Sequence, residues 1–582
     1  MAFQVSPGVN VSEIDLTTVV PAVSSTTGAF AGVFSKGPIG EAILIDSEVT
    51  LVERFGKPTS DNFESFFTVA NFLAYAGACY VVRVDNNATA ATNVTAPFTG
   101  KSKGTGTNDI EIITVGDGAG EFEATGTLTE FLIDISVSRT TASYNNSTSV
   151  LPIQAGDILE IDGYSLEIDS VAGATITFAN KYTGYADLGS GDVGVTTDVI
   201  RRYAGYNAIN TTPNAGRFHI VVRNVAGDVL ETYPNVSPTS TTKNADGTSA
   251  YYKNVVDNNS AYITTENAQG ADITVSTGAR AVYSLSGGTA GSTESATTNA
   301  AYAAGYDIFK EADQIDLSLV MLGKANSTIA SYVVDNICEH RKDCVAFISP
   351  EQNDSVDEMI TFRNTIGSTS YAVMDSGYKY QYDKYNDVYR WVPLNGDVAG
   401  LCARTDNDRD PWFSPAGYNR GIIKNTIKLK TNPNKAQRDK LYAAGINPII
   451  TEAGQGSLLF GDKTLLSTPS AFDRINVRRL FIVLEKSIAR ASKSTLFEFN
   501  DEFTRAQFRN LVEPFLRDVQ GRRGIYDFKV VADETNNTAE VIDGNRFVGD
   551  IYIKPAKSIN FIQLNFVAVR TGVEFEEIVG QF

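Results

Sequence analysis

The sequence predicts a multidomain protein of mixed α/β and α+β class. Its predicted parts are a discontinuous α/β core, β-rich inserted outer domains, a mixed α+β C-terminal domain and extended terminal strand arms. The chain of 582 residues is several times longer than an ordinary domain. Helix and strand patterns alternate before residue 90 and again after residue 300. Between them the composition shifts to Thr, Asn, Gly, Ala and Ser, with short runs of strand type.

The first stretch, MAFQVSPGVNVSEID, alternates apolar and polar side chains with the two-residue period of a half-buried strand. Pro7 and Gly8 bend this strand in its middle, and a single strand is not stable without a partner. Residues 1–20 are therefore predicted to be an arm that pairs with a sheet of this chain or of a neighbouring one. The side chains predicted to face that sheet are Phe3, Val5, Val9 and Val11.

The α/β core is predicted to comprise residues 21–90 and 300–430. The stretches TTGAFAGVFSKGPIGEAILIDS and LVERFGKPTSDNFESFFTVANFLAYAGACYVVRV indicate strand, loop, helix and strand. After residue 300, TIASYVVDNICEHRK predicts a helix and DCVAFISP predicts a strand. A core in two sequence segments implies that the middle of the chain is inserted into it, which surface loops tolerate at small entropic cost.

The middle of the chain is predicted to form two β-rich insertions, residues 91–205 and 206–299. Alternating runs such as FLIDISVS, DILEIDGYSLEIDSV and RFHIVVRNV are separated by turn residues at close spacing. The closing stretch SLSGGTAGSTESATTNAAYAAG is small and polar, which predicts an exposed linker.

The C-terminal domain is predicted to span residues 431–566, with an amphipathic helix in AFDRINVRRLFIVLEKSIARASK. At about 100° per residue, Val477, Leu480, Phe481, Leu484 and Ile488 share one face. The opposite half is predicted to be a basic outer face. Its members are Arg474, Arg478, Arg479, Lys486, Arg490 and Lys493.

A second helix is predicted in TRAQFRNLVEPFLRDVQG, with a capping box at Thr504 and Gln507 and an end at Gly521. Its predicted exposed cations are Arg505, Arg509 and Arg517. Strand alternation returns in the last residues, so 567–582 are predicted to be a second arm. Its side chains on one face are Val567, Val569, Val573 and Phe575.

Charge and composition exclude several classes of function. A net charge of −19 leaves no excess of Lys and Arg for phosphates, so nucleic acid is not an expected partner. From Thr431 onward, 20 Lys and Arg face 19 Asp and Glu, whereas the preceding residues have 29 against 49. The four scattered cysteines are typical of reduced thiols. No basic, apolar signal segment and no run of about 18 apolar residues occurs, so neither Sec export nor membrane insertion is expected.

Residues that could carry chemistry are few, and no cofactor, metal or catalytic group is predicted. His219 lies in a strand pattern, where a packed or exposed histidine is commoner than a catalytic base. Cys338, His340 and Cys344 superficially resemble a zinc cluster but lack a fourth ligand nearby. Asp408 and Asp410 could be imagined as a glycosidase pair, although a turn is the commoner reason for such a cluster.

Several motifs, in this order, resemble the tail sheath proteins of contractile-tailed, myovirus-type bacteriophages. They are SPGVNVSEID near the start, GDVAGLCARTDNDRDPWFSPAGYNRG, INPIITEAGQGSLLFGDKTL, INVRRLFIVLEKSIARAS and FEFNDEFTRAQFRNLVEPFLRDVQGRRGIYDFKV. The resemblance covers the N-terminal arm and most of residues 390–570. Residues 90–300 carry none of these motifs.

The resemblance implies a structural polymer without an active site. In that family, six-membered rings stack helically around a tail tube, and arms from both termini add strands to sheets of neighbouring subunits. The sheath contracts when the baseplate releases it and drives the tube through the host envelope. Expected partners are further copies of the chain, the tail tube protein, and baseplate and tail terminator proteins. The expected location is the virion, after assembly in the host cytoplasm.

The resemblance also implies that the C-terminal domain faces the tube, which makes the cations of its two helices candidates for that contact. Three alternatives remain at this point. The chain could be the sheath of a phage-derived injection particle or secretion system, which shares the C-terminal motifs. It could also be a surface β-rich adhesin, suggested by the Thr- and Asn-rich middle, or an enzyme such as a glycosidase built on the α/β core.

Overall fold

The computed structural model describes residues 25–75, 77–116, 209, 213–225, 228–266, 270–274, 280–452 and 454–560, together with the strands between residues 122 and 202. The helix Ser327–Val333 continues through a π turn, Val334–Cys338, and a last turn, Glu339–Arg341. The described helices are α1 Glu48–Phe55, α2 Phe63–Leu73, α3 Tyr252–Asn259, α4 Asn299–Asp307, α5 Ser327–Val333, α6 Val356–Ile366, α7 Asn395–Asp408, α8 Lys435–Ala443, α9 Ile475–Ser492, α10 Glu502–Gly521 and α11 Ala539–Asp543. None of them combines the length and the apolarity needed to cross a bilayer.

A seven-stranded sheet forms the centre of the core and is parallel except at the edge strand Ala42–Ile45. Gly28–Gly32 pairs with Cys79–Arg83 on one side and with Leu319–Met321 on the other. Segments before residue 90 and after residue 300 are thus hydrogen-bonded neighbours, as a discontinuous core requires. The spatial order is Ala42–Ile45, Cys79–Arg83, Gly28–Gly32, Leu319–Met321, Val345–Ile348, Ala372–Asp375 and Ile446–Asn447. The last of these strands lies beyond residue 430, and that domain boundary stays a prediction.

Helices cover both faces of this sheet. On one face α2 and α7 contribute Phe66, Phe72 and Leu401 to a buried apolar cluster. On the other face α4, α5, α6 and α8 contribute Tyr306, Leu441 and others to a second cluster. Because both faces are covered, inner strands such as Gly28–Gly32 and Val345–Ile348 are uniformly buried instead of alternating.

The remaining strands of the core and of the C-terminal domain form three small sheets. Tyr378–Asp383 pairs with Val388–Pro393 on one side and with Lys428–Leu429 on the other. Ile449–Glu452 pairs with Gly456–Leu459, and Ile525–Val531 pairs with Asp550–Pro555.

The inserted region is nested, and the predicted division at residue 205 does not follow its sheets. An outer four-stranded sheet has the order Val229–Val236, Phe218–Asn224, Ile110–Gly116 and Arg280–Ser284. A three-stranded sheet beside it has the order Ile263–Thr264, Thr99–Lys103 and Ala90–Thr92. An eight-stranded sheet lies between Ile110–Gly116 and Phe218–Asn224 in sequence. Its order is Asp192–Gly194, Phe131–Asp134, Thr141–Tyr144, Thr175–Phe178, Tyr164–Ala172, Ile158–Ile161, Val199–Arg202 and Phe122–Ala124.

The stretch 284–305, predicted to be an exposed linker, is exposed at more than half of its positions, but it is held against its surroundings at several points and its last residues belong to α4. The Glu294 carboxylate is buried and accepts the backbone N–H of Ser65 in the first turn of α2. The Asn86 amide donates to the carbonyl of Ser292 at 2.7 Å. A Cβ at Gly288 would lie 2.4 Å from the Gly104 carbonyl oxygen. The small residues permit close backbone approach here, which composition alone does not distinguish from mobility.

A buried polar network joins the carboxyl ends of two core strands to α7. The Ser349 hydroxyl donates to Asp375 Oδ2 at 2.7 Å and accepts from the backbone and side-chain N–H groups of Asn395, both at 3.0 Å. Burial raises the pKa of Asp375 to about 8, although the hydrogen bonds from Ser349 and Gly377 oppose the rise. The carboxyl group is therefore held neutral near pH 7.

The stability of the core is expected to fall as the pH rises from near 3.8 to about 8. In that range the folded protein keeps Asp375 protonated while the unfolded chain has lost the proton. Unfolding is then favoured by about 1.4 kcal/mol per pH unit. Asp375→Asn removes this contribution, so urea unfolding at several pH values should give a smaller slope than in the wild type.

Asp313→Asn is the matched control, because the Asp313 side chain is 96% exposed. It should keep the wild-type slope. An Asp375→Asn protein with an unchanged slope would show that this carboxyl group is ionised in the folded state.

Candidate interaction surface

Helix α9 lies between the core and the C-terminal domain and is buried on more than one side. Ile482 belongs to the apolar cluster of the core sheet. Leu480 and Leu484 instead pack with Phe508 and Val512 of α10. The predicted apolar face is confirmed for Val477, Leu480 and Leu484, while Phe481 and Ile488 are only half-buried. Burial extends well beyond that face because two different cores contact the helix.

The predicted basic outer face is wrong for Arg478 and Arg479, which are buried, and for the N-cap residue Arg474, which is only 18% exposed; all three form ion pairs within the chain. Arg474 contacts Asp462 at 3.1 Å. Arg478 lies over the rings of Tyr371 and Phe472, 4.5 and 4.7 Å from their centroids. Arg479 forms a two-pronged ion pair with Asp406, and its side chain is 4% exposed. Helical periodicity places these residues opposite Leu484, but that side faces the core instead of solvent.

The later cations of α9 bind the segment that leads into the core strand Leu319–Met321. Lys486 contacts Asp316 at 2.7 Å and donates to the carbonyl of Leu317. Arg490 contacts the other oxygen of Asp316 at 2.8 Å. Burial alone would raise the pKa of Asp316, but Lys486 and Arg490 hold it below its usual value. Lys493 is 70% exposed and lies 3.7 Å from Asp313.

The N-cap of helix α10 lies three residues earlier than predicted. Asp501 is the N-cap and accepts the backbone N–H of Thr504 at 2.8 Å, so the predicted capping box at Thr504 and Gln507 is wrong. The predicted end at Gly521 is confirmed. Both aspartate and threonine are preferred N-cap residues, so the local sequence alone does not distinguish Asp501 from Thr504.

The cations of α10 divide between interior and surface. Arg505 is buried and donates to Asn500 Oδ1 at 3.0 Å, so its predicted exposure is wrong. Arg509 is half-buried, and Arg517 is 68% exposed beside Glu513. Only Arg490, Lys493, Arg509 and Arg517 of the nine predicted tube-facing cations therefore present charge on this surface to any large extent.

The hairpin Ile525–Val531 with Asp550–Pro555 packs on α10 and is largely exposed on its other side. Phe528 and Ile553 face the apolar cluster of α10, whereas Tyr526 and Tyr552 are 68% and 61% exposed. Trp412 anchors this unit by donating its indole N–H to the carbonyl of Arg522 at 3.0 Å.

The chain leaves this hairpin along the core and continues into the predicted C-terminal arm. Ser558 and Asn560 donate to the carboxylate of Asp462 at 2.8 and 2.9 Å. The predicted arm residues lie outside the described residues. They are Phe3, Val5, Val9, Val11, Val567, Val569, Val573 and Phe575.

Two surface features were not found by sequence reasoning. One is the hairpin with its open edges. The other is residues 496–503, LFEFNDEF, where three phenylalanines and a leucine are all more than 60% exposed. In the sequence, residues 496–503 differ from their neighbours by alternating aromatic residues with carboxylates, and this pattern could have indicated an exposed segment.

The residues considered above as catalytic or zinc-binding candidates take part in packing, hydrogen bonds or ion pairs, or lie at the surface. His219 is buried, and its Nδ1 accepts the backbone N–H of Asn235 at 3.0 Å. The thiols of Cys338 and Cys344 are 3.7 Å apart in the core, while His340 is exposed. Asp410 forms an ion pair with Arg522, which attaches α10 to the core. Within the described residues no three His, Cys, Asp or Glu side chains are grouped as metal ligands.

The sequence matches two family descriptions and several known proteins. The phage tail sheath protein central domain matches residues 295–465, and the phage tail sheath C-terminal domain matches residues 467–568. The tail sheath protein of Vibrio phage KVP40 is 35% identical, and that of Enterobacteria phage T4 is 34% identical. Each match covers 99% of both chains. The fold is similar to the anti-feeding prophage helical sheath in the contracted state, with a TM-score of 0.51, 12% identity and coverage of 97% of this chain and 99% of that one.

Replacing Arg479 with alanine is expected to destabilise the protein by about 3–5 kcal/mol, because it leaves the Asp406 carboxylate buried without its partner. Urea unfolding followed by tryptophan fluorescence measures this change. Arg517→Ala is the control, since its exposed pair with Glu513 contributes at most about 0.5 kcal/mol. Equal effects of the two substitutions would contradict the structural role of the buried pair.

Proposed function

The chain belongs to the phage tail sheath protein family, and from this premise we propose that it polymerises as the contractile sheath of a phage tail. In this role the subunits form stacked six-membered rings around the tail tube. The lattice contracts to drive the tube through the host envelope during genome delivery. The partners are further copies of the chain, the tail tube protein, and the baseplate and tail terminator proteins. The subunit assembles in the host cytoplasm and resides in the virion.

The open hairpin is the observation that carries this proposal. Among the described residues, Ile525–Val531 and Asp550–Pro555 pair only with each other, so each strand has a free edge. Two-stranded sheets are marginal alone, and free edges accept additional strands. A neighbouring subunit that adds a strand here would complete the sheet.

The two arms supply strands with the required pattern. We propose that residues 1–20 and 567–582 of neighbouring copies add to the hairpin edges. Each backbone hydrogen bond contributes only about 1 kcal/mol net, but the bonds repeat through every subunit of a lattice. Arms of this kind can act as hinges while the folded bodies turn as rigid units. The subunits then stay connected as the lattice shortens and widens.

The energy for contraction is proposed to come from packing. The extended sheath would be a metastable lattice that relaxes to a form with more contact between subunits after release by the baseplate. The tail sheath proteins of phages KVP40 and T4 are 34–35% identical to this chain, whereas the anti-feeding prophage sheath is only 12% identical. This difference favours a phage tail over the sheath of an injection particle.

Deleting residues 1–15 or 567–582 is expected to leave a folded monomer that does not polymerise, because both segments lie outside the described cores. Negative-stain electron microscopy of the full chain should show hollow helical cylinders, and each truncated chain should give dispersed particles. Circular dichroism serves as the control that the truncated chains are folded. Long cylinders from either truncated chain would contradict the strand-exchange proposal.

The tube contact is proposed to use the surface cations of the C-terminal helices. Arg517 lies on the side of α10 away from its buried residues Phe508 and Val512, and Arg509 is half-buried at the flank of that buried face. Arg490 and Lys493 are exposed at the end of α9, although each lies near an aspartate of the core. Exposed ion pairs contribute about 0–1 kcal/mol each, which suits a contact that must release during contraction.

Arg509→Glu with Arg517→Glu is expected to abolish sheath assembly around purified tubes while leaving the fold unchanged. The reversed charges would repel the acidic groups of the tube that the wild-type arginines attract. Binding of the wild-type protein should therefore weaken with added salt. Co-sedimentation with tubes measures the effect. Lys57→Glu with Lys243→Glu is the control, because both lysines are exposed on distant elements. Unchanged co-sedimentation of the first variant would rule out α10 as the tube contact.

A further inference from the structure

The aromatic segment, residues 496–503 between α9 and α10, displays an unusual set of side chains. Soluble proteins rarely expose several large apolar residues together unless the surface binds a partner. The exposed fractions are 61% for Leu496, 105% for Phe497, 83% for Phe499 and 76% for Phe503. The segment also contains Glu498, Asp501 and Glu502 and no Lys or Arg.

The segment is held in this arrangement by the body of the C-terminal domain. The Asn500 amide donates to the carbonyl of Arg546 at 2.8 Å and to the side chain of Asn537 at 3.2 Å. Phe497 has a φ of 71°, a left-handed conformation that a bulky residue adopts only where its surroundings hold it. The exposed phenylalanines therefore project from a defined turn.

A groove of about 1090 Å³ between the core and the C-terminal domain has complementary chemistry. Trp412, Phe460 and Tyr526 give it an aromatic lining. Its two carboxylates are Asp439 and Asp462, and the latter is already paired with Arg474. Its cations are Arg420, Lys435, Arg438, Arg523 and Lys557.

The cations of the groove are not neutralised within the described part of the chain. None of the five has a carboxylate within 4.0 Å among the described residues. Arg438 lies over the ring of Phe460, 5.6 Å from its centroid. Burial lowers the pKa of Arg420, and the nearby Arg409 lowers it further. The groove thus presents aromatic rings and unpaired positive charge to an incoming group.

We propose that the aromatic segment of one copy docks in the groove of a second copy. Its phenylalanines would pack on the aromatic lining, and Glu498 and Glu502 would meet the cations. This inference rests on the proposed function, because it requires a polymer of this chain. It adds a side-chain contact that is separate from strand exchange by the arms.

A second copy suits this contact better than the same chain does. The phenylalanines are exposed in this subunit, so they do not occupy its own groove. Segment and groove are different surfaces, and contacts between different surfaces build rings or open helices instead of closed pairs. Buried aromatic anchors surrounded by matched charges are the usual source of both affinity and register at such interfaces.

Mixed disulfide formation between two single-site variants tests this docking directly. One preparation carries Phe497→Cys and the other carries Arg523→Cys, and the native Cys79, Cys338, Cys344 and Cys402 are all buried. Mild oxidation of the mixture should give a covalent dimer that neither variant forms alone. The measurement does not require cylinders, so it separates this contact from polymerisation.

Charge reversal tests the same contact in the assembled sheath. Glu498→Lys with Glu502→Lys should weaken association about tenfold or more, as should Arg438→Glu with Arg523→Glu. Combining all four changes should restore cylinders. Val49→Ser with Val94→Ser removes two exposed apolar side chains elsewhere and should assemble normally.

The outcomes distinguish this inference from the function on which it rests. Wild-type cylinders without a mixed disulfide would overturn the docking and leave the sheath role intact. A mixed disulfide without cylinders, even when tubes are added, would support the docking and contradict the sheath role. Reversed-charge variants that form empty cylinders but do not enclose tubes would overturn the docking, because the segment would then contact the tube.

Discussion

The position of the C-terminal domain depends on one helix that has little solvated surface. Helix α9 packs against the core sheet through Ile482 and against α10 through Leu480 and Leu484. A cation on a buried surface of α9 needs a carboxylate as its partner, because an unpaired buried charge costs several kcal/mol. Asp406 of α7 meets this requirement for Arg479. The apolar contacts bring the domains together, and an arrangement that separated Arg479 from Asp406 would leave two buried charges unpaired.

Other contacts make the core and the C-terminal domain a single folded body. The Asp410–Arg522 pair and the Trp412 hydrogen bond join the end of α10 to the segment after α7. Lys486 joins α9 to the segment before a core strand. A lattice that changes shape can keep such a body intact if the movement occurs in the segments between bodies. The predicted arms at both ends of the chain would supply such segments.

The subunit combines covered apolar cores with two surfaces that remain exposed. The core sheet is covered by helices on both faces, and the inserted region has an apolar core of its own. The hairpin after α10 and the aromatic segment before it are open instead. The first offers backbone hydrogen bonds, which fix strand alignment, and the second offers side chains, which discriminate between partners. A polymer that uses both would gain connectivity from one and specificity from the other.

The sequence by itself determined the class of fold, the helices α2, α5, α9 and α10, and the family. Periodicity reports local geometry, which is the same wherever an element is placed, and the C-terminal motifs are distinctive. Only the tertiary structure decided that Arg479 is buried, that Asp501 caps α10, that Glu294 and Ser292 hold the stretch 284–305 in place, and that one insertion is nested in another. These features depend on residues far apart in sequence, such as Asp406 beside Arg479 or Asn86 beside Ser292. A pattern along the chain shows which face of an element is polar, but the partner that meets that face comes from elsewhere in the fold.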